Sequence, residues 1–206
     1  EITLTMPKSM SVERRKILKA FGAKIELTPA EGGMKGAIDK AKEMAERSDK
    51  IFIPQQFRNK TNPGIHRKTT AKEIWNDTEG KVDVFVAGIG TGGTITGVGE
   101  ELKKHNPSLH VVGVEPEGSA VLSGGDPGPH KIQGIGAGFV PEVLNTKVYD
   151  EVINIVAKEA YKASRDLAAK EGIFAGISSG AAVAAALKYA NKKSKLENIV
   201  IILPDT

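Results

Sequence analysis

The sequence predicts an α/β fold built on a largely parallel sheet, and two observations indicate it. Short runs rich in β-branched residues alternate with amphipathic helical stretches along the 206 residues, a spacing typical of strand–helix–strand units joined by right-handed crossovers. Two of the runs, Val84–Ala87 and Ile199–Leu203, are continuously apolar. Strands that are covered on both faces have this character.

The individual elements follow from hydrophobic periodicity. Ser11 precedes an apolar face formed by Ile17, Leu18 and Phe21, which predicts a capped helix that ends at Gly22. Further helices are predicted to begin near Gly33, Ile65, Gly92, Lys158 and Gly180. Strands are predicted at Ile2–Thr5, Lys24–Thr28, Ile51–Pro54, Val82–Ala87, Val111–Glu115, Val148–Val156 and Ile199–Leu203.

Polar and glycine-rich breaks organise the chain. The loop Gln56–Pro63 is the most polar break in the first half, and we place a domain boundary there. Ser123–Gly138 is a second irregular stretch, rich in Gly and Pro, and loops of this length within a compact domain are usually functional or mobile. The chain opens on an extended run, Ile2–Pro7, and closes on Pro204–Thr206 directly after an apolar run. We therefore expect a piece of a longer protein, truncated at both ends.

Composition and charge exclude several functions. The 29 Lys and Arg residues outnumber 25 Asp and Glu residues, giving a formal charge of +4, but the basic residues are scattered among acidic ones. We therefore expect no nucleic-acid binding. No apolar run approaches the roughly 20 residues of a membrane span, and no signal-peptide pattern is present. The absence of cysteine excludes disulfides and a Cys-ligated metal site, and no metal site is predicted.

The strongest chemical signal is the glycine-rich turn Gly88–Thr94, between a buried strand and a helix. Such a turn points backbone N–H groups at an anion from the positive end of the helix. Its four glycines exceed what a tight turn alone needs. The hydroxyls of Thr91 and Thr94 suit the terminal phosphate of a monoester. A phosphate monoester is therefore one interpretation of the ligand of this loop.

A dinucleotide is the other interpretation of the same loop. Gly88, Gly90 and Gly93 satisfy the spacing of the NAD-binding fingerprint, and Glu115 ends the next strand where that fingerprint places its ribose-binding acid. The residues of the loop alone leave both ligands open.

A second signal is the pair of serines in Ala175–Gly180, before a small-residue helix at 181–187. One serine at a helix start commonly caps the free backbone donors. The other hydroxyl is then free for a ligand, and the alanine-rich helix permits close packing against a flat cofactor.

Several motifs resemble those of cysteine synthase (O-acetylserine sulfhydrylase), and they follow one another along the chain in the order that this family has. This family consists of pyridoxal-phosphate enzymes of the tryptophan-synthase-β-like fold. The motifs are Gly90–Thr94, Gly128–Phe139 and Gly176–Gly180, with further similarity at Met6–Pro7, Ser11–Arg15, Asn62–His66 and Thr69–Thr70. The resemblance covers the whole chain.

The resemblance implies a fold type II enzyme with two open parallel-sheet domains. Residues 1–56 would be the later part of the small, mobile domain, and residues 57–206 most of the large cofactor-binding domain. The phosphate of pyridoxal 5'-phosphate would lie in the loop, and Ser178 would hydrogen-bond the pyridine nitrogen. The implied phosphate-binding residues are Gly90, Thr91, Gly92, Gly93 and Thr94.

The remaining residues near these motifs receive narrower roles. By resemblance, Gln56 would help to hold the substrate carboxylate, and Gly134 would line the substrate pocket. We expect Ser179 to be structural, as a helix cap. His66 and His130 are expected to be structural as well, because the family motif assigns neither of them a proton transfer.

The reaction that the resemblance implies is a β-replacement in cysteine biosynthesis, in which sulfide replaces the acetate of O-acetyl-L-serine and L-cysteine is released. The lysine that carries the cofactor belongs, by resemblance, upstream of Glu1. No catalytic residue is therefore assigned in this chain, and the chain alone is expected to be inactive. The family also implies a cytoplasmic transferase, or an organellar one if a targeting segment precedes Glu1, that forms a homodimer and docks the C-terminal tail of serine acetyltransferase.

Three alternatives stay open at this point. Cystathionine β-synthase has a similar phosphate loop and related chemistry. An NAD-dependent oxidoreductase would use Glu115 but leaves Ser178 unexplained. A non-catalytic binding paralogue would keep the fold and lose the lysine.

Overall fold

The structure is a computed structural model that describes residues 1–193 and 198–204. Asp205 and Thr206, which belong to the predicted terminal loop, lie outside the described residues. The chain divides into two compact units, Glu1–Gln55 and Gln56–Thr206.

The first unit contains a two-stranded parallel sheet and two helices. Strands β1 (Thr3–Pro7) and β2 (Lys24–Thr28) are joined through helix α1 (Val12–Ala20), and helix α2 (Gly33–Ala45) follows. These elements confirm the predicted strand–helix–strand order. Ser11 caps α1 as predicted, since its hydroxyl accepts a hydrogen bond from the backbone N–H of Arg14 at 3.3 Å.

The strand predicted at Ile51–Pro54 is wrong. These residues form no strand, and the side chains of Ile51 and Phe52 are 45% and 83% exposed. A strand needs a neighbouring strand for its backbone hydrogen bonds and a covered face for its apolar side chains. A short apolar run in the sequence carries no information about either.

The second unit is built on a four-stranded parallel sheet in the order β5–β4–β3–β6. The predicted strands are confirmed here, with ends shifted by a few residues. Val84 of β3 pairs with His110 on one side and with Ile199 on the other. The strands are β3 (Val84–Gly88), β4 (His110–Pro116), β5 (Glu151–Ile155) and β6 (Ile199–Ile201).

Five helices accompany this sheet. The helix predicted near Ile65 is two short helices that meet at Thr69, and the others begin close to their predicted starts. The helices are α3 (Thr61–Lys68), α4 (Thr70–Asp77), α5 (Gly93–His105), α6 (Ala157–Glu171) and α7 (Ile177–Ala190). In the part of the chain that the structure describes, no helix combines the length and apolarity that crossing a membrane requires.

Helices cover the sheet on both faces, because alternate residues of a strand point to opposite sides. Val84 and Val86 pack into a cluster with α6 and α7, whereas Phe85 and Ala87 pack into a cluster with α5. All four side chains are at most 1% exposed. This double burial explains why the run is continuously apolar.

The strand order positions a ligand site. The chain runs from β3 to β4 to β5 on one side of the sheet, and β6 then pairs with the opposite side of β3. In open parallel sheets, ligands bind beyond the carboxyl ends of the strands at such a reversal of direction. The glycine loop after Gly88 lies at this place.

Candidate cofactor site

The glycine loop links the central strand to a helix start. Strand β3 ends at Gly88 and helix α5 begins at Gly93. Gly92 takes the left-handed conformation, with φ of +82°, and has no side chain with which to cap α5. The positive end of α5 is therefore available to an anion.

Two glycines of the loop are required by close approach. A Cβ on Gly90 would lie 2.4 Å from the carbonyl oxygen of Gly134, and a Cβ on Gly93 would lie 1.9 Å from Oδ1 of Asn62. Neither position has room for a side chain. The loop is thus a backbone cradle of the kind that phosphate-binding turns use.

Gly134 connects this cradle to Ser178. A Cβ on Gly134, whose φ is +97°, would lie 3.5 Å from Oγ of Ser178. The structure therefore brings together three of the predicted site residues, Gly90, Gly134 and Ser178, from three separate motifs. Ser178 is 9% exposed, and within residues 1–193 and 198–204 its hydroxyl makes no hydrogen bond. A hydroxyl without a partner on a largely buried side chain has its proton available to a ligand atom such as a ring nitrogen.

Gln56 lies in the exposed segment before α3. Its carbonyl oxygen accepts a hydrogen bond from Nδ2 of Asn62 at 2.9 Å. The same Nδ2 donates to Oγ1 of Thr91 at 2.9 Å. One amide therefore links the predicted substrate-binding residue to the predicted phosphate loop.

His66 lies against the same loop. Its Nε2 is 3.2 Å from Oγ1 of Thr94, and its Nδ1 is 3.0 Å from Oγ1 of Thr70. Burial lowers the pKa of His66 from its ordinary value, because the charged imidazolium is desolvated. Asn62 and His66 are residues near the loop to which the sequence analysis assigned no cofactor role. The signal that could have found them is their spacing of four residues on α3, which places both on one helix face.

His130 holds the second glycine-rich loop. Its Nε2 lies 2.9 Å from the carbonyl oxygen of Gly136, so Nε2–H donates to this oxygen. The backbone N–H of Gly136 in turn donates to the carbonyl oxygen of Ile89 at 3.0 Å. His130 and Gly136 both lie in the irregular stretch 123–138, so the bond between them holds this stretch together internally. The bond from Gly136 to Ile89 attaches it to the glycine loop.

The capping role predicted for Ser179 is wrong. Helix α7 begins at Ile177 with Gly176 as its N-cap, earlier than predicted, so both serines lie inside the first turn. The hydroxyl of Ser179 donates instead to the carbonyl oxygen of Pro204, after strand β6. Ser179 is fully buried and joins α7 to the end of the sheet.

Glu115 is already satisfied within the chain. Its carboxylate is 1% exposed and accepts hydrogen bonds from the backbone N–H of Leu122 and from both the backbone and the hydroxyl of Ser123. The acid that the dinucleotide interpretation needs for a ribose is therefore engaged in holding a turn. Among the described residues, no group of three or more His, Cys, Asp or Glu side chains could hold a metal ion.

The parallel sheet, the backbone cradle and the partnerless hydroxyl of Ser178 fit a fold type II enzyme that binds pyridoxal phosphate. Comparison with known proteins agrees: the chain belongs to the family described as "Pyridoxal-phosphate dependent enzyme", which matches residues 1–205. A cysteine synthase from Staphylococcus aureus is 53% identical over 201 residues, which are 97% of this chain and 64% of the relative. The chain thus spans less than two thirds of the length of the curated relatives it matches.

Solved structures show the same likeness. The cysteine synthase of Entamoeba histolytica superposes with a TM-score of 0.91 at 46% identity, over 100% of this chain and 61% of that one. An O-acetylserine-dependent cystathionine β-synthase from Helicobacter pylori superposes with a TM-score of 0.92 at 41% identity, over 99% of this chain and 66% of that one.

Proposed function

We propose that this chain is the larger part of a pyridoxal-phosphate-dependent cysteine synthase, which makes L-cysteine from O-acetyl-L-serine and sulfide. The observation that carries the proposal is the convergence of Gly90, Gly134 and Ser178 at the carboxyl edge of the sheet. The 53% identity to a cysteine synthase supports the choice of reaction.

The glycine loop and Ser178 would bind opposite ends of the cofactor. The phosphate would receive hydrogen bonds from the loop Gly90–Thr94, and the hydroxyl of Ser178 would bond the pyridine nitrogen. A bound pyridoxal phosphate supplies an electron sink for bond cleavage at the substrate amino acid. The hydroxyl of Ser178 is neutral and, unlike a carboxylate, does not stabilise a charged pyridinium. We therefore expect β-elimination to be favoured over transamination.

Gln56 and Gly134 are proposed to bind the substrate. Gln56 would help to hold the substrate carboxylate, and its carbonyl oxygen is fixed by Asn62. Gly134 would line the pocket with backbone alone, beside Ser178. Glycine at this position keeps side chains out of the space beside Ser178, where the ring would lie.

The remaining assignments extend the same proposal to the whole enzyme. Residues 1–56 would form the later part of the small mobile domain, and residues 57–206 most of the large domain. The lysine that carries the cofactor would come from a segment before Glu1. A homodimer, docking of the C-terminal tail of serine acetyltransferase and a cytoplasmic location complete the assignment.

The choice of nucleophile tests the proposal. The full-length holoenzyme is supplied with O-acetyl-L-serine and with equal concentrations of sulfide and homocysteine, and the products are identified by mass spectrometry. We expect L-cysteine to predominate. Predominant cystathionine would replace the proposal by a cystathionine β-synthase, and a protein that takes up no pyridoxal phosphate would overturn it altogether.

A further inference from the structure

Helix α3 carries two side chains that reach the threonines of the glycine loop. Asn62 bonds Thr91 and His66 bonds Thr94. The two side chains are four residues apart on the helix. The two threonines are three residues apart, Thr91 just before α5 and Thr94 in its first turn. Each threonine hydroxyl therefore has one dedicated neighbour on α3.

The hydrogen bonds of Thr91 leave its proton in a defined state. Oγ1 of Thr91 accepts from Nδ2 of Asn62 at 2.9 Å and from the backbone N–H of Gly93 at 3.3 Å. A hydroxyl has two acceptor sites and one donor proton. Both acceptor sites are occupied, and the proton has no acceptor among the described residues, so it is available to a ligand.

The amide of Asn62 has only one workable orientation. Its Nδ2 donates both to Thr91 and to the carbonyl oxygen of Gln56, which can only accept. The reversed amide would place Oδ1 against that carbonyl oxygen. Oδ1 instead lies beside Gly93, where a Cβ would approach to 1.9 Å. Asn62 is therefore a fixed donor to Thr91.

His66 can likewise donate a hydrogen bond to the hydroxyl of Thr94. A neutral imidazole has one N–H donor and one acceptor nitrogen. When Nε2 carries the proton, it donates to Oγ1 of Thr94 at 3.2 Å, and Nδ1 accepts from the hydroxyl of Thr70 at 3.0 Å. The hydroxyl proton of Thr94 is then free to point away from α3.

Packing holds α3 in register with α5. The guanidinium of Arg67 donates to the carboxylate of Glu100 on α5 at 2.8 Å, and the same carboxylate accepts from Nδ2 of Asn145 at 2.8 Å. A Cβ on Gly97 would lie 2.3 Å from the carbonyl oxygen of Pro63. The two helices touch backbone to backbone, so the donors on α3 are held at fixed distances from the loop.

We propose that Asn62 and His66 are positioning residues that turn the hydroxyl protons of Thr91 and Thr94 toward the phosphate of the cofactor. The inference rests on the proposed function, because it takes the anion in the loop to be that phosphate. Hydroxyl donors fixed in advance need no reorientation when the dianion binds, and hydrogen bonds to a charged acceptor are the strong ones.

The test compares two ligands that differ only in the phosphate. Full-length apoprotein is titrated with pyridoxal phosphate and with pyridoxal, for the wild type, Asn62→Ala and His66→Phe. We expect each variant to weaken pyridoxal phosphate binding by about tenfold, a typical loss for one oriented hydrogen bond to a charged group. Pyridoxal binding stays unchanged. His66→Gln, whose amide can replace the Nε2 donor, recovers part of the loss, whereas an equal loss for both ligands would overturn the inference.

Two further measurements keep the test decisive if Asn62→Ala fails to fold. In a Thr91→Val background, Asn62→Leu, which removes the amide donor without adding a charge, has no additional effect on the preference for pyridoxal phosphate over pyridoxal if Asn62 acts through the hydroxyl. A further loss of this preference in the double variant contradicts the inference. The ¹⁵N chemical shifts of His66 in the holoenzyme report the Nε2–H tautomer, and an Nδ1–H tautomer contradicts the inference. If the wild type binds pyridoxal phosphate no better than pyridoxal, the proposed function fails, and this inference fails with it.

Discussion

The first residue of α5 touches the second residue of α3: a Cβ on Gly93 would lie 1.9 Å from Oδ1 of Asn62. The glycine loop proposed to bind the phosphate and the residue proposed to orient the hydroxyl of Thr91 therefore occupy adjoining space. A single methyl group placed between them has to displace one or the other.

Gly93→Ala is accordingly expected to reduce cofactor affinity at least tenfold in the full-length protein, and overpacking of this kind costs about 1–3 kcal/mol of stability. The matched control is Gly64→Ala on α3, which meets no atom within 4 Å. An alanine there stabilises a helix by up to about 1 kcal/mol relative to glycine. Equal cofactor affinity in Gly93→Ala and Gly64→Ala would contradict the close contact.

Ser178 and Ser179 are neighbours with opposite expected effects. Ser178→Ala should leave the unfolding free energy of the apoprotein unchanged, because its hydroxyl has no partner in the described part of the chain, yet it should lower turnover and shift the visible absorption band of the bound cofactor. Ser179→Ala should lower stability by about 1 kcal/mol, the usual net value of a hydrogen bond, because it loses the bond to Pro204. Thermal unfolding and absorption spectroscopy of both variants check the pair, and a reversed pattern would show that the two hydroxyls are wrongly assigned.

Asp150 is expected to make the fold sensitive to acid. Burial acts to raise the pKa of Asp150, but the hydrogen bond from the backbone N–H of Val111 at 2.7 Å and the charge of Lys103 outweigh it and hold this pKa below its ordinary value. A lowered carboxyl pKa gives stability that is present above the ordinary value of 3.8 and is lost as the pH falls through the folded-state pKa.

Asp150→Asn should therefore flatten the loss of stability in acid and cost about 1 kcal/mol near neutral pH, a small figure because the partly exposed carboxylate is screened by water. Urea unfolding at several pH values measures both effects. Asp166→Asn, which removes an exposed pair with Lys162 on α6, is the control and should change little. A pH profile of Asp150→Asn that matches the wild type would refute this role for Asp150.

His66 is expected to affect the stability of the fold at higher pH than Asp150 does. Burial lowers its pKa below the ordinary value of 6.5, so the unfolded chain takes up the proton before the folded apoprotein does. The stability that the apoprotein has above pH 6.5 should therefore decline as the pH falls through the range just below it. Fluorescence of Trp75, the one tryptophan in the sequence, can follow unfolding. His66→Gln should remove this part of the slope, and identical slopes in the two proteins would contradict it.

The sheet and the glycine loop could be predicted from the sequence because each depends on local patterns. Double burial makes β3 continuously apolar, and a strand–glycine–helix turn is visible in seven consecutive residues, 88–94. The equally apolar β6 lies at the edge of the sheet, and its residues are only partly buried. The run Ile51–Pro54 has the same local pattern as a strand but lacks a neighbouring strand, and sequence alone does not distinguish the two cases. The pattern therefore predicted one strand too many.

The contacts of Asn62 and His66 with the glycine loop could not be predicted from the sequence, because they depend on how α3 packs in the folded chain. Asn62 and Thr91 are 29 residues apart, and His66 and Thr94 are 28 apart. Nothing in the loop itself indicates which helix packs against it. The role of Ser179 was predicted wrongly for a different reason. The start of α7 was predicted near Gly180, three residues late, so Ser179 was placed before the helix as a cap although it lies in the first turn.

A structure of the full-length holoenzyme tests the central claim most directly. We predict phosphate oxygens about 2.7–3.2 Å from backbone nitrogens of the loop Gly90–Thr94 and from the hydroxyl oxygens of Thr91 and Thr94. The backbone N–H of Gly93 should keep its hydrogen bond to Oγ1 of Thr91. The pyridine nitrogen should lie within hydrogen-bond distance of Oγ of Ser178. A phosphate bound away from this loop, or a ring nitrogen that faces a carboxylate in place of Ser178, would contradict the account.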